Sequence, residues 1–267
     1  VIFSLSQGAA VAIFGLVGGF LTPILIGSKE PNTLLLFLYL SGLSLSLLYV
    51  ARRQNWAWLA LPVYCLSLLW ALGWVVGAWR MEDAIWVSIY LLILMFGAPF
   101  VFFKKDGEGA TSPLPKYASV LGCFGSLLIL SVITARAEFT SLHWSMFGLA
   151  GLGSMALAVF KPRLYHYAPA AAGAVTAFLL WTWQPSDIVE FMKIAGMFAV
   201  IYFAAGVSFV FRSPTPLWWS KLAILSLPIL YILSYLKFGH DVHVAETLPH
   251  LWTWTAGIVA RDESQGL

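Results

Sequence analysis

Charged side chains are scarce in this sequence. Lys and Arg total 15 and Asp and Glu total 12 in 267 residues, so 10% of the chain is charged, against about a quarter in an ordinary soluble domain. The charges lie in short segments between apolar runs of roughly 18–25 residues, the length that crosses a bilayer as a helix. This distribution excludes a soluble globular domain and predicts an integral membrane protein.

Alternating polar and apolar segments, which build a membrane β-barrel from strands of about ten residues, are also absent. The apolar runs are continuous, so the predicted fold class is all-α: a polytopic transmembrane helical bundle of about nine to ten spans with short loops. The net charge of +3 comes without a basic run, which argues against a nucleic-acid partner. Cys65 and Cys123 lie mid-span without a Cys-x-x-Cys pattern and fit small buried hydrophobic residues.

Ionisable residues are missing from the middle third of every predicted span. Proton-coupled carriers use a buried carboxylate or histidine, and voltage sensors use a ladder of arginines. Both classes are therefore disfavoured, no cofactor is expected, and a neutral or lipid-linked cargo fits better. Hydroxyl groups that could line a groove, or serve helix packing instead, are those of Ser41, Ser44, Ser46, Tyr49, Tyr64 and Tyr90.

Nine apolar runs predict nine spans, separated by polar joints that we number one to nine in chain order. The predicted spans cover residues 5–26, 33–50, 56–78, 84–103, 117–135, 142–160, 164–183, 188–211 and 217–236. We expect one bundle domain over 1–236, followed by a polar outer loop and a short helix over 237–267. Residues 248–260 are either an interfacial helix held by Trp252 and Trp254 or a truncated tenth span.

Lys and Arg are distributed unequally between the joints. The even joints carry nine of them and the odd joints five, with Arg261 in the tail. The positive-inside rule therefore predicts a multi-pass protein of the bacterial inner membrane whose even joints face the cytoplasm. Tryptophans cluster at span ends, where indoles favour the headgroup level; a substrate-stacking surface is the alternative.

A stripe of small residues runs along the first predicted span. Gly8, Ala12, Gly15 and Gly19 share one helix face, and Thr22 and Pro23 follow. Small residues let helix backbones approach closely in a bilayer, while Pro23 removes a backbone donor. We expect this span to be a central packed helix, with its glycines and Pro23 serving helix packing or a hinge.

Two groups of polar residues are candidates for chemistry. His240, Asp241 and His243, followed by Glu246 and His250, could hold zinc or another divalent metal, although a solvated outer loop rich in histidine is the more ordinary explanation. At the start of the eighth span, Glu190 and Lys193 stand three residues apart. They form either a surface ion pair or, inside the membrane, a functional pair.

The first two spans resemble a known family. The run Gly15-Leu-Val-Gly-Gly-Phe-Leu-Thr-Pro-Ile-Leu25, then Arg52-Arg53-x-x-Trp56-x-Trp58-Leu59, is similar to a family of predicted bacterial membrane proteins, the DUF2339 family, a domain of unknown function. The specific match covers about the first sixty residues. The resemblance implies a long chain with many short-looped spans and brings no catalytic residues.

Partners follow from this architecture. They are the lipid bilayer and neighbouring membrane helices. Because the chain opens on Val1 inside an apolar segment, we expect a fragment or processed chain whose neighbours include further parts of the same protein.

Three functions remain open. The first is a transport-like, groove-forming protein that handles a neutral or lipid-linked molecule, with residues 15–23 as a hinge. The second is a membrane-embedded enzyme that acts at the outer face through His240, Asp241 and His243. The third is a non-catalytic scaffold for envelope assembly.

Overall fold

Almost all of the described chain is helical. The computed structural model describes residues 9–26, 32–54, 56–102, 114–160, 165, 167–185, 187–212 and 218–238. These residues form nine α-helices and no strand. The helices are α1 (Ala9–Ile26), α2 (Thr33–Arg53), α3 (Ala57–Gly77), α4 (Ala84–Phe102), α5 (Leu114–Arg136), α6 (Ser141–Phe160), α7 (Ala168–Thr182), α8 (Ile188–Arg212) and α9 (Trp218–Phe238).

The all-α class is confirmed, and several helices can cross a membrane. Five stretches of the described chain are long and apolar enough to do so: Thr33–Arg53, Trp58–Gly77, Tyr117–Arg136, Ser141–Val159 and Ile188–Val207. Three further apolar helices are shorter: Ala10–Ile26, Ala168–Thr182 and Leu225–Phe238. Each of the nine predicted spans has a helix at its place, but the count of nine to ten crossings is not confirmed by length and composition.

Local signals in the sequence explain where α2 begins and ends. The side-chain oxygen of Asn32 accepts a hydrogen bond from the Leu35 N–H at 3.1 Å, which caps the first turn. Arg52 and Arg53 occupy the last turn, where positive charge complements the carbonyl end of the helix. After α3, a short 3₁₀ turn, Met81–Asp83, leads directly into α4.

The chain divides into two compact units. Unit 1 covers Val1–Ala168 and unit 2 covers Pro169–Leu267. Each unit is described separately below. The single bundle domain over 1–236, and the outer loop with its short helix, remain predictions.

Helix α5 is the centre of unit 1, where it packs against α3, α4 and α6. Its glycines make these contacts possible: a Cβ atom at Gly122 would collide with the Tyr64 ring, and one at Gly125 would collide with Leu68, both on α3. On α6, Gly153 lies equally close to the ring of Phe96 on α4. Small residues thus set the helix spacing in this unit.

Helix α1 differs from expectation, because it is not the central helix of the described part of unit 1. It packs mainly on α2. Phe14 and Leu25 are 77% and 80% exposed. The physical reason is that only Gly19, of the described glycines of α1, lies close to a neighbouring helix; the tight glycine contacts belong to α5 and α6.

Polar residues tie the odd joints of unit 1 together at one end. The Thr33 hydroxyl, after joint one, donates to a carboxylate oxygen of Asp83 in joint three at 2.7 Å. From joint five, the Arg136 guanidinium donates to the backbone carbonyl of Val75 and lies 5.5 Å from the centre of the Trp79 ring. Adjacent helices in this unit therefore alternate in direction, as short joints predict.

Unit 2 contains α7, α8 and α9, and α8 packs closely along α9. The Tyr202 hydroxyl of α8 lies 2.9 Å from the Thr176 hydroxyl of α7. At one end, the ring of Phe191 lies 6.0 Å from Trp183, in joint seven, and 5.5 Å from Phe238, at the end of α9. Joints seven and nine therefore share one end of this unit.

Candidate functional site

Pro23 interrupts the backbone hydrogen bonding of α1, as Pro62 does in α3 and Pro228 in α9. Proline has no N–H, so the carbonyl oxygen of Gly19, four residues earlier, loses its normal helical donor. The Thr22 hydroxyl donates to the carbonyl of Gly18 at 2.6 Å, one residue earlier. The turn before Pro23 therefore takes hydrogen bonds from side chains as well as from the backbone.

Two side chains from other helices donate to this turn. The Tyr39 hydroxyl of α2 donates to the freed Gly19 carbonyl at 2.9 Å. The indole N–H of Trp70 on α3 donates to the next carbonyl, that of Phe20, at 3.1 Å. Neighbouring side chains that satisfy a proline-freed carbonyl are what makes such a helix tolerable at membrane depth. We call Tyr39 and Trp70 the donor pair.

The small-residue stripe is partly described. Ala12 is buried, Gly15 and Gly19 are half-buried, and Gly8 lies outside the described residues. A Cβ at Gly19 would stand 2.8 Å from the Leu43 side chain of α2, whereas a Cβ at Gly15 would find nothing within 4 Å. Close approach of α1 and α2 is therefore seen at Gly19, while the packing roles of Gly8 and Gly15 remain predictions.

The arrangement separates α1 into two parts with different anchorage. Residues 19–23, which we call the anchor, receive the donor pair. Residues 9–18, which we call the arm, lie against the protein through Ala12 and Leu16 and receive no side-chain hydrogen bond from another described helix. Gly18 is the last residue of the arm and Gly15 lies one turn earlier, and a helix is more flexible at glycine than at other residues. The geometry can thus support bending of the arm.

The hydroxyl groups predicted to line a groove mostly bond within the packed helices. Ser44 and Ser67 lie 2.8 Å apart, and the Tyr90 hydroxyl donates to the Ser67 carbonyl at 3.3 Å. Ser41 donates to the Phe37 carbonyl of its own helix at 2.7 Å. These contacts support helix packing, the alternative role given to them.

The remaining groove candidates divide between surface and interior. Ser46 and Tyr49 are exposed. Tyr64 is fully buried, and its hydroxyl, like that of Ser126 on α5, has no hydrogen-bond partner among the described residues. The described interior of unit 1 therefore offers polar but uncharged groups.

The predicted metal ligands lie outside the described residues, as do Glu246 and His250. His240, Asp241 and His243 therefore remain a prediction, as does the helix over 248–260. Among the residues that the structure describes, no group of three or more His, Cys, Asp or Glu side chains could hold a metal ion. Glu190 and Lys193 are both exposed at the start of α8.

Sequence reasoning missed the donor pair. A signal was present: Trp70 lies in the third predicted span, and a buried indole N–H needs an acceptor. Clustering at span ends, the pattern that drew attention to the other tryptophans, does not include Trp70. Tyr39 gave the same kind of signal within the second predicted span, but the sequence did not indicate the partner of either side chain, 20 and 50 residues away.

Comparison with known proteins places the chain in a family. The family model described as "Predicted membrane protein (DUF2339)" matches residues 1–264. The resemblance drawn from the sequence was right about the family. It was wrong about the extent of the match, because the family model covers the later spans in addition to the glycine motif. No curated protein and no solved structure matches this chain. The chain therefore belongs to the DUF2339 family of predicted membrane proteins.

Proposed function

We propose that this chain forms a groove for a neutral or lipid-linked molecule in the bacterial inner membrane, and that residues 15–23 are the hinge that opens it. The observation that carries the proposal is the donor pair, through which α2 and α3 hold the anchor of α1 at the carbonyls of Gly19 and Phe20. The arm beyond this anchor is the moving part.

The energetics favour a pivot at this place. A backbone carbonyl without a donor in hydrocarbon costs several kcal/mol, so the anchor stays bonded to Tyr39 and Trp70. The arm has its own helical hydrogen bonds and needs none from its neighbours. Swinging it away from α2 therefore exposes apolar surface to lipid, which in a bilayer carries little cost.

The chemistry of the surroundings selects the cargo. No ionisable side chain occurs in the middle third of any predicted span, and the face that the arm would uncover consists of Ala12 and Leu16, both buried. A charged cargo would lie there without a counter-charge, at high cost. An uncharged or largely apolar molecule fits.

Distance measurements between spin labels test the hinge. One pair of labels replaces Phe14, on the arm, and Tyr49, near the end of α2; both side chains are exposed. A control pair replaces Leu25 and Leu35, exposed residues at the anchored end. We expect a broad or two-peaked distance distribution for the arm pair and a narrow one for the control pair.

The variant Pro23→Ala provides the matched closed state. Alanine at position 23 restores the backbone N–H that donates to the Gly19 carbonyl, so the distance distribution for the arm pair should narrow. A photoreactive diacylglycerol should then label Leu16 less than in the unmodified protein. Equal widths for both label pairs, or labelling of Leu16 that ignores Pro23→Ala, would contradict the hinge and leave the scaffold hypothesis favoured.

We further propose that all nine helices cross the membrane, with the even joints in the cytoplasm. The excess of Lys and Arg at the even joints supports this orientation, and the shared end of joints one, three and five in unit 1 agrees with alternating crossings. Reporter fusions in joints two and four should be active inside the cell, and fusions in joint three outside. Outside activity for joints two and four would reverse the assignment.

A further inference from the structure

Unit 2 contains a cavity, open to the surface, that none of the preceding roles uses. Its volume is about 390 Å³, and it lies at the end of the unit where joints seven and nine meet. The lining residues are Trp181, Gln184, Pro185, Leu236, Lys237 and Phe238. Four of these six residues are apolar or aromatic, and the other two contribute one amide and one amine.

The amine is the decisive group. The Lys237 Nζ is buried, and it has no hydrogen-bond partner among the described residues. It lies 5.4 Å from the centre of the Phe191 ring, a contact that stabilises a cation without neutralising it. Lys237 stands one residue beyond the ninth predicted span, in the last turn of α9.

No described carboxylate lines the cavity. The nearby Asp187 is engaged at the start of α8, where its side chain accepts from the Val189 N–H at 3.2 Å. Glu190 is exposed and does not line the cavity. A buried cation without an acceptor is costly, and an anionic oxygen ligand removes that cost by charge-assisted hydrogen bonds.

We propose that this cavity binds a phosphate group, with the Lys237 amine as its counter-charge, the Gln184 amide as a second donor and the aromatic walls around an attached apolar portion. The phosphate can belong to a phospholipid headgroup or to a free phosphate compound. The aromatic and aliphatic lining suits an amphiphile at the membrane surface. This site is independent of the hinge proposed for unit 1.

Binding measurements on the full chain in detergent test the site with two probes. The probes are short-chain phosphatidylglycerol and inorganic phosphate, with short-chain phosphatidylcholine as a third, zwitterionic probe. Lys237→Gln should weaken binding by about tenfold or more, because one charge-assisted bond is lost. Lys237→Arg keeps the charge and should retain most of the affinity.

The matched control is Lys193→Gln, which removes an exposed lysine of the same unit and should leave binding unchanged. Binding of phosphatidylglycerol alone supports a lipid headgroup, and binding of both anionic probes supports free phosphate. Three results would overturn the proposal: no binding of either anionic probe, an equal loss in Lys193→Gln and Lys237→Gln, or binding that appears only in Asp241→Asn. The last result would mean that the Asp241 carboxylate of the chain itself pairs with the Lys237 amine.

Discussion

A single hydroxyl group, that of Tyr39, connects the chemistry of proline to the packing of α1. Pro23 cannot donate to Gly19, and Tyr39 replaces the missing backbone N–H at 2.9 Å. The two residues should therefore be energetically coupled. Neither would show this coupling if it were changed alone.

Removal of that hydroxyl tests the coupling. Tyr39→Phe should lower the free energy of unfolding in detergent by about 1 kcal/mol, the usual net value of one hydrogen bond. In a Pro23→Ala background the loss should shrink, because the alanine N–H then supplies the donor. Tyr49→Phe, at an exposed position on the same helix, is the control. Additive effects of Tyr39→Phe and Pro23→Ala would show that the two residues act separately.

A second residue-scale feature is the turn between α5 and α6, where Glu138 and Phe139 both have positive φ, 54° and 57°. Residues other than glycine adopt this left-handed conformation at a cost. The turn lets Phe139 stack on Trp144, with ring centres 5.7 Å apart. Strain is thus combined with a specific aromatic contact.

The two turn residues should respond in opposite ways to the same substitution. Glu138→Gly should raise the free energy of unfolding by about 0.5–1 kcal/mol, because glycine relieves the left-handed strain. The side chain that is removed is exposed. Phe139→Gly relieves the same strain but loses the stack on Trp144, so it should be destabilising. Thermal unfolding in detergent distinguishes them; a loss of stability in Glu138→Gly would contradict the account.

At the scale of helices, glycine stripes predict close approach but not which helices approach. The stripe in the first span was prominent in the sequence, yet Gly15 meets nothing within 4 Å in the described structure, while Gly122 and Gly153 lie directly against aromatic rings. A stripe shows that a helix can approach another backbone. Its neighbour and the degree of contact depend on how all the helices pack.

Glycine substitutions at two positions measure this difference. Gly122→Ala should lower the free energy of unfolding by about 1–3 kcal/mol, because the new methyl group overlaps the buried Tyr64 ring. Gly73→Ala, on α3 with nothing within 4 Å of the added Cβ, should be neutral or stabilising by about 0.5–1 kcal/mol. Similar losses at both positions would mean that helix backbone effects, rather than contact, determine the response.

At the scale of the whole molecule, the helices could be predicted from the sequence because bilayer thickness sets their length. Even boundaries agree closely: the predicted span over 188–211 corresponds to α8, Ile188–Arg212. Side-chain contacts could not be predicted in the same way. Leu40 is fully buried and Leu38 is 62% exposed, although both are apolar, so hydrophobicity alone does not tell which face of a membrane helix meets protein.

The candidate site in α1 could also be predicted only in part from the sequence. The glycines and Pro23 could be identified from the sequence, whereas the donor pair could not, because Trp70 reaches Phe20 across fifty residues of chain. The cavity at Lys237 was missed for a related reason: its lining comes from two separate segments, 181–185 and 236–238. Only folding brings them together.

The enzyme hypothesis is tested on the intact protein by metal analysis. If His240, Asp241 and His243 bind zinc, purified protein should contain about one equivalent, and His240→Ala combined with His243→Ala should lose it. His143→Ala, a histidine of α6, is the control. Metal content that is absent, or unchanged in the double variant, would remove this function.

The long-range hydrogen bonds of unit 1 imply an order of assembly during synthesis. Tyr39 reaches back 20 residues to Gly19, Trp70 reaches back 50 to Phe20, Asp83 reaches back 50 to Thr33, and Arg136 reaches back 61 to Val75. Every one of these bonds joins a newly made segment to one that left the ribosome shortly before. Each helix can therefore form its hydrogen bonds as soon as the next helix is synthesised. The Gly19 carbonyl, freed by Pro23, receives its donor from Tyr39 before translation ends.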